Sequence, residues 1–409
     1  MKNKILFIFL NVFSSLIAFV KSFFFLKFLD DSTLGIIVLF QAVIAIFGLF
    51  QIGLLNGGYR IFSIKIEEQN WKSVNNLIIS FICSLIALLT ILGTIIGVTK
   101  GYNIGIIIFG VFVGGLAILQ NWFTNIFIAR EKLSEVNWLN ILSNIGSLAI
   151  VPLIFVMPVF GALIAISGLY IFFVFFALVR NVEIRPTAFL FNKILFKRIL
   201  VFGFVPYLTG IIYIINNQVD RFFIQFALST EYLGKFYLAF TFISLFYMVP
   251  ASINNLFFPS AMNQYTLNNI KGVFNSAVKY FLTNLLYSIL ALIGVFLFAD
   301  LFVNLLFPEK IYQLQYVYYL LPGLIAMILS APISLVLNVA FHYKSIMIGQ
   351  VLALFLYLMV LSYMANAKIF SLEYVAWCKS FQGVFVLVYY IFAFMLLYKG
   401  VKHRKYLKE

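Results

Sequence analysis

The sequence predicts an all-α polytopic membrane protein, with twelve transmembrane helices in two parallel-repeat six-helix bundles around a central cavity. Three observations lead to this fold class: the composition, the spacing of the apolar runs and an internal repeat. Of the 409 residues, 64% are hydrophobic and 10% are charged, and the mean hydropathy is +1.07. Because a soluble domain carries roughly 25% charged residues, this composition excludes a soluble protein.

Twelve apolar runs are each long enough to cross a bilayer, which needs about 20 residues. They lie near 5–29, 34–61, 77–98, 104–129, 139–157, 160–179, 199–228, 232–258, 277–303, 314–340, 346–367 and 371–398. The first run is too long for a signal-peptide core and no cleavage site follows it, so we expect it to be retained. The predicted domains are an N-lobe at 1–180, a cytoplasmic connector at 181–198, and a C-lobe at 199–409 that ends in a basic tail.

The connector is basic and contains Pro186. Lys193 and Lys197 are four residues apart, with Leu190 and Ile194 at neighbouring positions. This spacing suits an amphipathic helix that lies on the inner membrane surface. A plain basic linker explains the same residues, and the sequence does not decide between the two.

The basic residues are distributed unevenly between the two sides of the predicted membrane. With the N-terminus inside, twenty Lys and Arg fall on the cytoplasmic side, and the outer loops hold five: Lys27, Lys100, Lys235, Lys310 and Lys368. The positive-inside rule therefore places both termini in the cytoplasm. The net charge of +15 is spread over the inner segments, which argues against nucleic acid as a partner.

An internal repeat relates the two halves of the chain. The segment Phe19–Gly35 aligns with the segment that ends at Gly234 at a constant offset of 199 residues, with Gly35 on Gly234 and Lys21 on Asp220. Six helices are an even number, so both halves enter the membrane from the same side. The sequence therefore predicts parallel repeats, as in some duplicated transporters.

Away from the ends of the predicted spans, three basic residues, Lys21, Arg221 and Lys379, lie inside them against one acid, Asp220. A charge at the bilayer centre costs about 2.5–3.5 kcal/mol on insertion scales, so such residues usually face a polar interior. The excess of positive charge predicts a cationic lumen that attracts an anionic group such as a phosphate.

Polar residues accompany these charges at helical spacing. They are Asn216 and Asn217 beside Asp220, Asn56 beside Arg60, Gln382 beside Lys379, and a stripe of Asn11, Ser14 and Ala18 before Lys21. Such stripes line a cavity, or they let membrane helices pack closely and hydrogen-bond. For the Gly, Ser and Asn positions the sequence supports both interpretations equally.

The sequence gives no indication of a catalytic, nucleotide-binding or metal-binding site. The extramembrane segments are too short for a nucleotide-binding or catalytic domain, and no phosphate-binding glycine motif occurs in a suitable context. The two histidines, His342 and His403, fit an ordinary loop and tail. We therefore predict no catalytic residue, no metal and no cofactor.

The segment VDRFFIQFALSTEYLGKFYLAF resembles the seventh-helix signature of Wzx-type polysaccharide flippases, in the multidrug/oligosaccharidyl-lipid/polysaccharide (MOP) exporter superfamily. The segment from Phe25 to Arg60 is similar to the family's opening. The resemblance covers nearly the whole chain, although its motifs are loose. It implies two six-helix bundles that form a V-shaped cavity opening to either face in turn.

The resemblance also implies a function. Wzx-type proteins move undecaprenyl-pyrophosphate-linked oligosaccharides across the bacterial inner membrane, for surface polysaccharides such as O-antigen or capsule. Asp220 and Arg221 correspond to the family's seventh-helix pair, and Arg60 to the basic residue that closes its second helix. The expected substrate-binding residues are Lys21, Arg60, Arg221 and Lys379, with Asp220, Asn216, Asn217, Asn56 and Gln382 as polar support. Expected partners are the lipid-linked substrate, membrane lipids, and a polysaccharide polymerase and glycosyltransferases.

Two other functions compete with this one. A cation-coupled drug or metabolite exporter of the same superfamily would use Asp220 as the coupling site, although the first helix carries Lys21 and no acid. A polytopic glycan polymerase or ligase would need a sizeable outer loop with catalytic side chains. The predicted outer loops are too short for such an enzyme.

Overall fold

The protein is almost entirely helical in the computed structural model. The structure describes residues 2–63, 71–100, 104–130, 132–189, 191–340 and 342–406, and that part of the chain contains no β-strand. Its helices are α1 (Lys2–Phe28), α2 (Asp31–Phe47), α3 (Leu54–Ser63), α4 (Trp71–Lys100), α5 (Ile104–Ala129), α6 (Leu133–Ala149), α7 (Pro158–Arg180), α8 (Lys193–Ala227), α9 (Thr230–Lys235), α10 (Tyr237–Thr266), α11 (Ile270–Leu306), α12 (Leu314–Val339), α13 (Tyr343–Asn366) and α14 (Leu372–Tyr406). Lys65 and Lys408, which enter the charge count above, lie outside the described residues.

The prediction of an all-α polytopic membrane protein is confirmed. Among the described residues, eleven helical segments are long and apolar enough to cross a membrane. The helix α1 adds a further 27 residues at the position of the first predicted span. Together these twelve segments correspond to the twelve predicted apolar runs. They are helical because a backbone in hydrocarbon must satisfy its hydrogen bonds within its own helix.

Two predicted spans differ from the observed helices. The run near 34–61 is broken into α2, a 3₁₀ turn at Gly48–Gln51 and α3. The break comes at Ile52 and Gly53, which have φ values of 46° and 88°, and a right-handed helix cannot pass through that region. The run near 199–228 begins earlier, at Lys193, so the basic end of the connector is the first part of α8 and not a separate surface helix.

The chain divides into two compact units. Unit 1 comprises Met1–Leu29 and Ile36–Arg221, and unit 2 comprises Asp30–Gly35 and Phe222–Glu409. The division falls inside α8, after Arg221, and it assigns the start of α2 to unit 2. The predicted lobes, which meet at the connector, stay a prediction.

In unit 1 the core lies between α3, α4, α5, α7 and the start of α8, around the buried Trp122. The Trp122 ring nitrogen donates a hydrogen bond to Asn75 Oδ1 at 2.9 Å, and Asn75 Nδ2 donates to the backbone oxygen of Ile184 at 2.9 Å. Satisfying these groups internally avoids the cost of an unpaired buried polar atom. It also attaches the first residues of the connector to α4.

In unit 2, α12 packs closely against both α10 and α14. The crossing of α12 and α14 depends on Gly323 and Gly383, because a Cβ on either would overlap the backbone of the opposite helix. By contrast, α11 leaves large apolar side chains exposed, among them Phe296, Leu301 and Leu305. An apolar surface of this size is expected to face lipid hydrocarbon.

Glu183 joins an ion cluster at one end of unit 1. Its Oε1 atom lies 2.5 Å from Lys132 Nζ and 3.1 Å from Arg130 Nη1, and the Arg130 guanidinium stacks 4.5 Å from the Trp71 ring. The hydrogen bond from Lys132 lowers the pKa of the Glu183 carboxyl below its usual value, and the Arg130 charge adds to this shift. The cluster thus joins the segment between α5 and α6 to the segment after α7.

We expect Glu183→Gln to lower the free energy of unfolding at pH 7 by up to about 1 kcal/mol, as for other partly exposed ion pairs. A lowered folded pKa stabilises the protein above the unfolded pKa, and this contribution is lost as the pH falls through the folded value. Thermal unfolding from pH 7 to pH 3 should therefore show a smaller pH dependence in Glu183→Gln than in wild type. Glu309→Gln, at an exposed carboxylate, is the control; equal melting of Glu183→Gln and wild type at pH 7 contradicts the prediction.

Candidate functional site

Lys21 is buried between three helices of unit 1. Only 8% of the residue is exposed, and its Nζ atom donates a hydrogen bond to Ser147 Oγ on α6 at 2.7 Å. Ser147 Oγ in turn donates to the backbone oxygen of Ala165 on α7 at 2.5 Å. Among the described residues, no carboxylate lies within ion-pairing distance of Lys21. An ammonium held in this way is costly, because it is dehydrated without a counter-ion.

The polar stripe on α1 faces α6. Ser14, two helical turns before Lys21, accepts a hydrogen bond from Asn144 Nδ2 at 2.9 Å, and both Ser14 and Asn144 are buried. Of the two interpretations that the sequence left open for the small and polar positions, helix packing explains Ser14. The side chain of Asn11, which belongs to the same stripe, lies outside the described residues.

The polar residues of α8 share one face. Asn216 and Asp220 are four residues apart, and each is 3% exposed, whereas Asn217 and Arg221 are partly exposed. One carboxylate oxygen of Asp220 accepts a hydrogen bond from the backbone N–H of Arg221 at 3.0 Å. Asp220 and Arg221 are the last two residues of unit 1.

Arg60 lies against the start of α8. Its Nη1 atom donates a hydrogen bond to the backbone oxygen of Phe202 at 3.2 Å, and Asn56, one helical turn earlier on α3, is partly buried. The two helices approach closely because Gly203 contacts the backbone of Gly53. The structure therefore places Arg60 beside the basic first turns of α8.

Lys379 and Gln382 lie on α14 in unit 2. Lys379 Nζ lies 5.1 Å from the centroid of the Tyr357 ring, within the range of a cation–π contact. Gln382 is buried on the same helix. Ser380, the residue after Lys379, accepts a hydrogen bond from the Gly323 backbone N–H at 3.2 Å, which fixes α14 against α12.

The described contacts of the candidate residues involve different helices. Lys21 contacts α6, Arg60 contacts α8, the pair Asp220 and Arg221 ends unit 1, and Lys379 lies in unit 2. No group of three or more metal-binding side chains occurs among the described residues. The substrate-binding roles of Lys21, Arg60, Arg221 and Lys379, and the supporting roles of the polar residues, stay predictions.

Sequence reasoning missed a polar cluster around Asp31. Lys310 Nζ lies 2.8 Å from Asp31 Oδ1, Gln313 Nε2 donates to the same oxygen at 3.3 Å, and the Tyr312 hydroxyl donates to Oδ2 at 3.3 Å. All of these residues belong to unit 2, in which Gln313 is fully buried. A signal was present, because Lys310 is one of the few basic residues in the predicted outer loops.

The repeat identified in the sequence has a structural counterpart beside this cluster. The start of α2 crosses α9 so that a Cβ on Gly35 would overlap the backbone of Thr230, and a Cβ on Gly234 would overlap the backbone of Asp31. The pairs 35 and 234, and 31 and 230, are each separated by 199 residues. The contact of Gly35 with Thr230 and the contact of Gly234 with Asp31 are therefore equivalent to each other under the repeat, as the reciprocal contacts of an isologous interface are.

No protein-family model and no curated protein matches the sequence. Solved structures do match it. An inward-facing multidrug resistance MATE family transporter of the MOP superfamily superposes with a TM-score of 0.77 and 14% identity, over 95% of this chain and 96% of that one. The chain has the fold of MOP superfamily transporters.

Two further structures agree with this fold. The lipid II flippase MurJ, in an inward closed conformation, matches with a TM-score of 0.76 and 15% identity, over 95% of this chain and 87% of that one. A MOP superfamily transporter from Pyrococcus furiosus, whose binding pocket is described as reversed in polarity, matches with a TM-score of 0.68 and 11% identity, over 97% and 95% of the two chains. At these identities the MOP likeness concerns the fold alone.

Proposed function

We propose that this protein is a MOP superfamily flippase. Its substrate is an undecaprenyl-pyrophosphate-linked oligosaccharide, which it moves across the bacterial inner membrane by alternating access for surface polysaccharide synthesis. Both termini lie in the cytoplasm, in agreement with the charge distribution of the sequence. The partners that deliver and consume such a substrate are glycosyltransferases and a polysaccharide polymerase.

The excess of basic side chains inside the membrane-spanning segments carries this proposal. Away from the ends of the spans, Lys21, Arg221 and Lys379 outnumber Asp220, and Lys21 is buried without a carboxylate partner among the described residues. Cations at membrane depth are costly and are retained for a function. A pyrophosphate group is the part of a lipid-linked sugar that such cations would attract.

The test uses proteoliposomes that contain a fluorescent lipid-linked oligosaccharide. We expect Lys21→Ala, Arg221→Ala and Lys379→Ala each to reduce the flipping rate by at least tenfold, because each removes one cation from the translocation path. Restoration of surface glycan in a bacterium that lacks its own flippase provides a second measurement. Lys27→Ala and Lys72→Ala remove exposed charges that are not among the candidate substrate-binding residues, and they should leave the flipping rate unchanged.

Two results would contradict the proposal. One is full flipping activity in all three variants, and the other is no flipping by the wild-type protein under conditions in which a known flippase works in the same vesicles. Glycosyltransferase genes beside the gene for this protein would further support a polysaccharide substrate.

The second candidate function is cation-coupled export of a drug or metabolite, favoured by the Asp220 carboxylate that is 3% exposed on α8. A buried acid in a membrane helix can exchange a coupling ion during transport. In that case Asp220→Asn should abolish the dependence of transport on an ion gradient. Under the flippase proposal, Asp220→Asn should leave gradient dependence unchanged.

A further inference from the structure

The first turns of α8 form a basic and apolar surface that the proposed transport cycle does not use. Asn192 caps the helix, because its Oδ1 atom accepts hydrogen bonds from the backbone N–H groups of Ile194 and Leu195 at 3.0 Å each. The free N–H groups at the start of a helix would otherwise attract an anion. Since the side chain of Asn192 already occupies them, any ligand at this end must be bound by side chains.

Two ridges of side chains run along this part of α8, each with a spacing of four residues. One carries Lys193, Lys197 and Val201, and the other carries Ile194, Arg198 and Phe202; all six side chains are exposed. Together they line a cavity of about 430 Å³. Residues four apart lie on the same helix face, so the basic residues occupy the N-terminal part of both ridges, and the wall of the cavity itself is apolar.

Two of the three basic side chains of this surface, those of Lys193 and Lys197, have no described partner. Neither side chain forms a hydrogen bond or ion pair with the described residues. The cavity has no acidic side chain among its lining residues. Arg60, which bonds the backbone oxygen of Phe202, adds a further cation beside it. A ligand for this surface must therefore be an anion.

Along the axis of α8, basic residues are followed by apolar residues, as the headgroup of a phospholipid is followed by its acyl chains. Val201 and Phe202 lie about two turns, roughly 12 Å, beyond Lys193, so the basic part of this helix surface is followed by an apolar part. On the other side, Phe189 and Phe191 are both about 70% exposed. Aromatic side chains of this kind are typical of the region where headgroups meet acyl chains.

We propose that this surface, from Lys193 to Phe202, is a binding site for an anionic phospholipid. The phosphate group lies among Lys193, Lys197 and Arg198, and an acyl chain lies along Val201 and Phe202. Basic pockets beside transmembrane helices bind anionic headgroups by the same combination of charge and apolar contact. The lipid is a bound component of the membrane and not the transported substrate, so this site does not depend on the proposed flippase activity.

Native mass spectrometry of the purified protein, with dioleoylphosphatidylglycerol titrated in detergent, tests the site. We expect saturable binding of this lipid and no comparable binding of dioleoylphosphatidylcholine. The triple variant Lys193→Gln, Lys197→Gln, Arg198→Gln should bind phosphatidylglycerol about 100-fold more weakly, at about fivefold per basic residue near an anionic lipid. Dihexanoylphosphatidylglycerol and inorganic phosphate should bind much more weakly than the long-chain lipid, because they lack the acyl contact.

The matched control is the triple variant Lys271→Gln, Lys279→Gln, Lys344→Gln, which removes three other exposed basic residues that the sequence places on the cytoplasmic side. It should bind phosphatidylglycerol as wild type does. An equal loss in both triple variants means general attraction of charge and overturns the site, as does unchanged binding in the first. Should the first variant not fold, a photoreactive phosphatidylglycerol crosslinked to the wild-type protein must map to 193–202; crosslinks distributed over the chain overturn the proposal.

Discussion

Replacing Lys21 by methionine is expected to make the protein more stable and at least tenfold slower in transport. Lys21 is 8% exposed and forms its hydrogen bond with Ser147, not with an acid. Methionine has a similar shape without the charge, so the cost of dehydrating an ammonium disappears. Replacing buried ions by apolar side chains of similar volume has stabilised other proteins by about 1–4 kcal/mol. Thermal unfolding and flipping rates, measured on the same preparation, check the two parts.

Two companion variants separate the charge of Lys21 from its packing. Ser147→Ala removes the hydrogen-bond acceptor but keeps the ammonium, so it should destabilise the protein by about 1–3 kcal/mol while transport continues. Lys21→Arg keeps the charge and should retain part of the transport rate. If Lys21→Met transports at the wild-type rate, the residue has only a packing role. If it melts below wild type, the hydrogen bond to Ser147 outweighs the cost of dehydration.

The Gly234→Ala variant is expected to lose about 1–3 kcal/mol of stability, in the range of overpacked sites. A Cβ at this position would overlap the backbone oxygen and carbonyl carbon of Asp31, and backbone at a helix start cannot move as a flexible side chain can. The crossing of α2 and α9 must therefore open, which also disturbs the contact of Asp31 with Lys310. Thermal unfolding in detergent measures the loss.

Gly294→Ala is the matched control for this prediction. Gly294 lies within α11 of the same unit, and a Cβ there would meet nothing within 4 Å. Since alanine favours a helix by up to about 1 kcal/mol over glycine, this variant should be as stable as wild type or more so. Gly35→Ala should resemble Gly234→Ala, and the double variant should fall short of the sum because both open the same crossing. Equal stability of Gly234→Ala and Gly294→Ala would refute the steric explanation.

The fold class could be predicted because it depends on properties that are local in the sequence. A span needs about 20 apolar residues, and each of the twelve runs met this condition and is mostly helical in the structure. The break at Ile52 and Gly53 could not be predicted, because the run stays apolar through it. At this break Gly53 lies close to Gly203, which is distant in sequence.

The candidate site was predicted less completely than the fold. Helical spacing identified the residues that share a face, such as Asn216 with Asp220, and both are buried. It could not identify the helix that covers a given face. Lys21 illustrates this limit, since the same stripe suits a water-filled cavity or a contact with Ser147 on α6.

The sequence by itself determined that this chain crosses the membrane many times, and it predicted that the two halves are repeats and that basic residues outnumber acidic ones away from the ends of the spans. Each of these follows from the order of residue types along one chain. The tertiary structure alone decided that Lys21 contacts α6, that Lys310 pairs with Asp31 across 279 residues, and that Gly35 contacts Thr230 and Gly234 contacts Asp31 where α2 crosses α9. The reason is physical: helix formation in a membrane depends on neighbouring residues, whereas the partner of a helix face depends on which distant surfaces fit together.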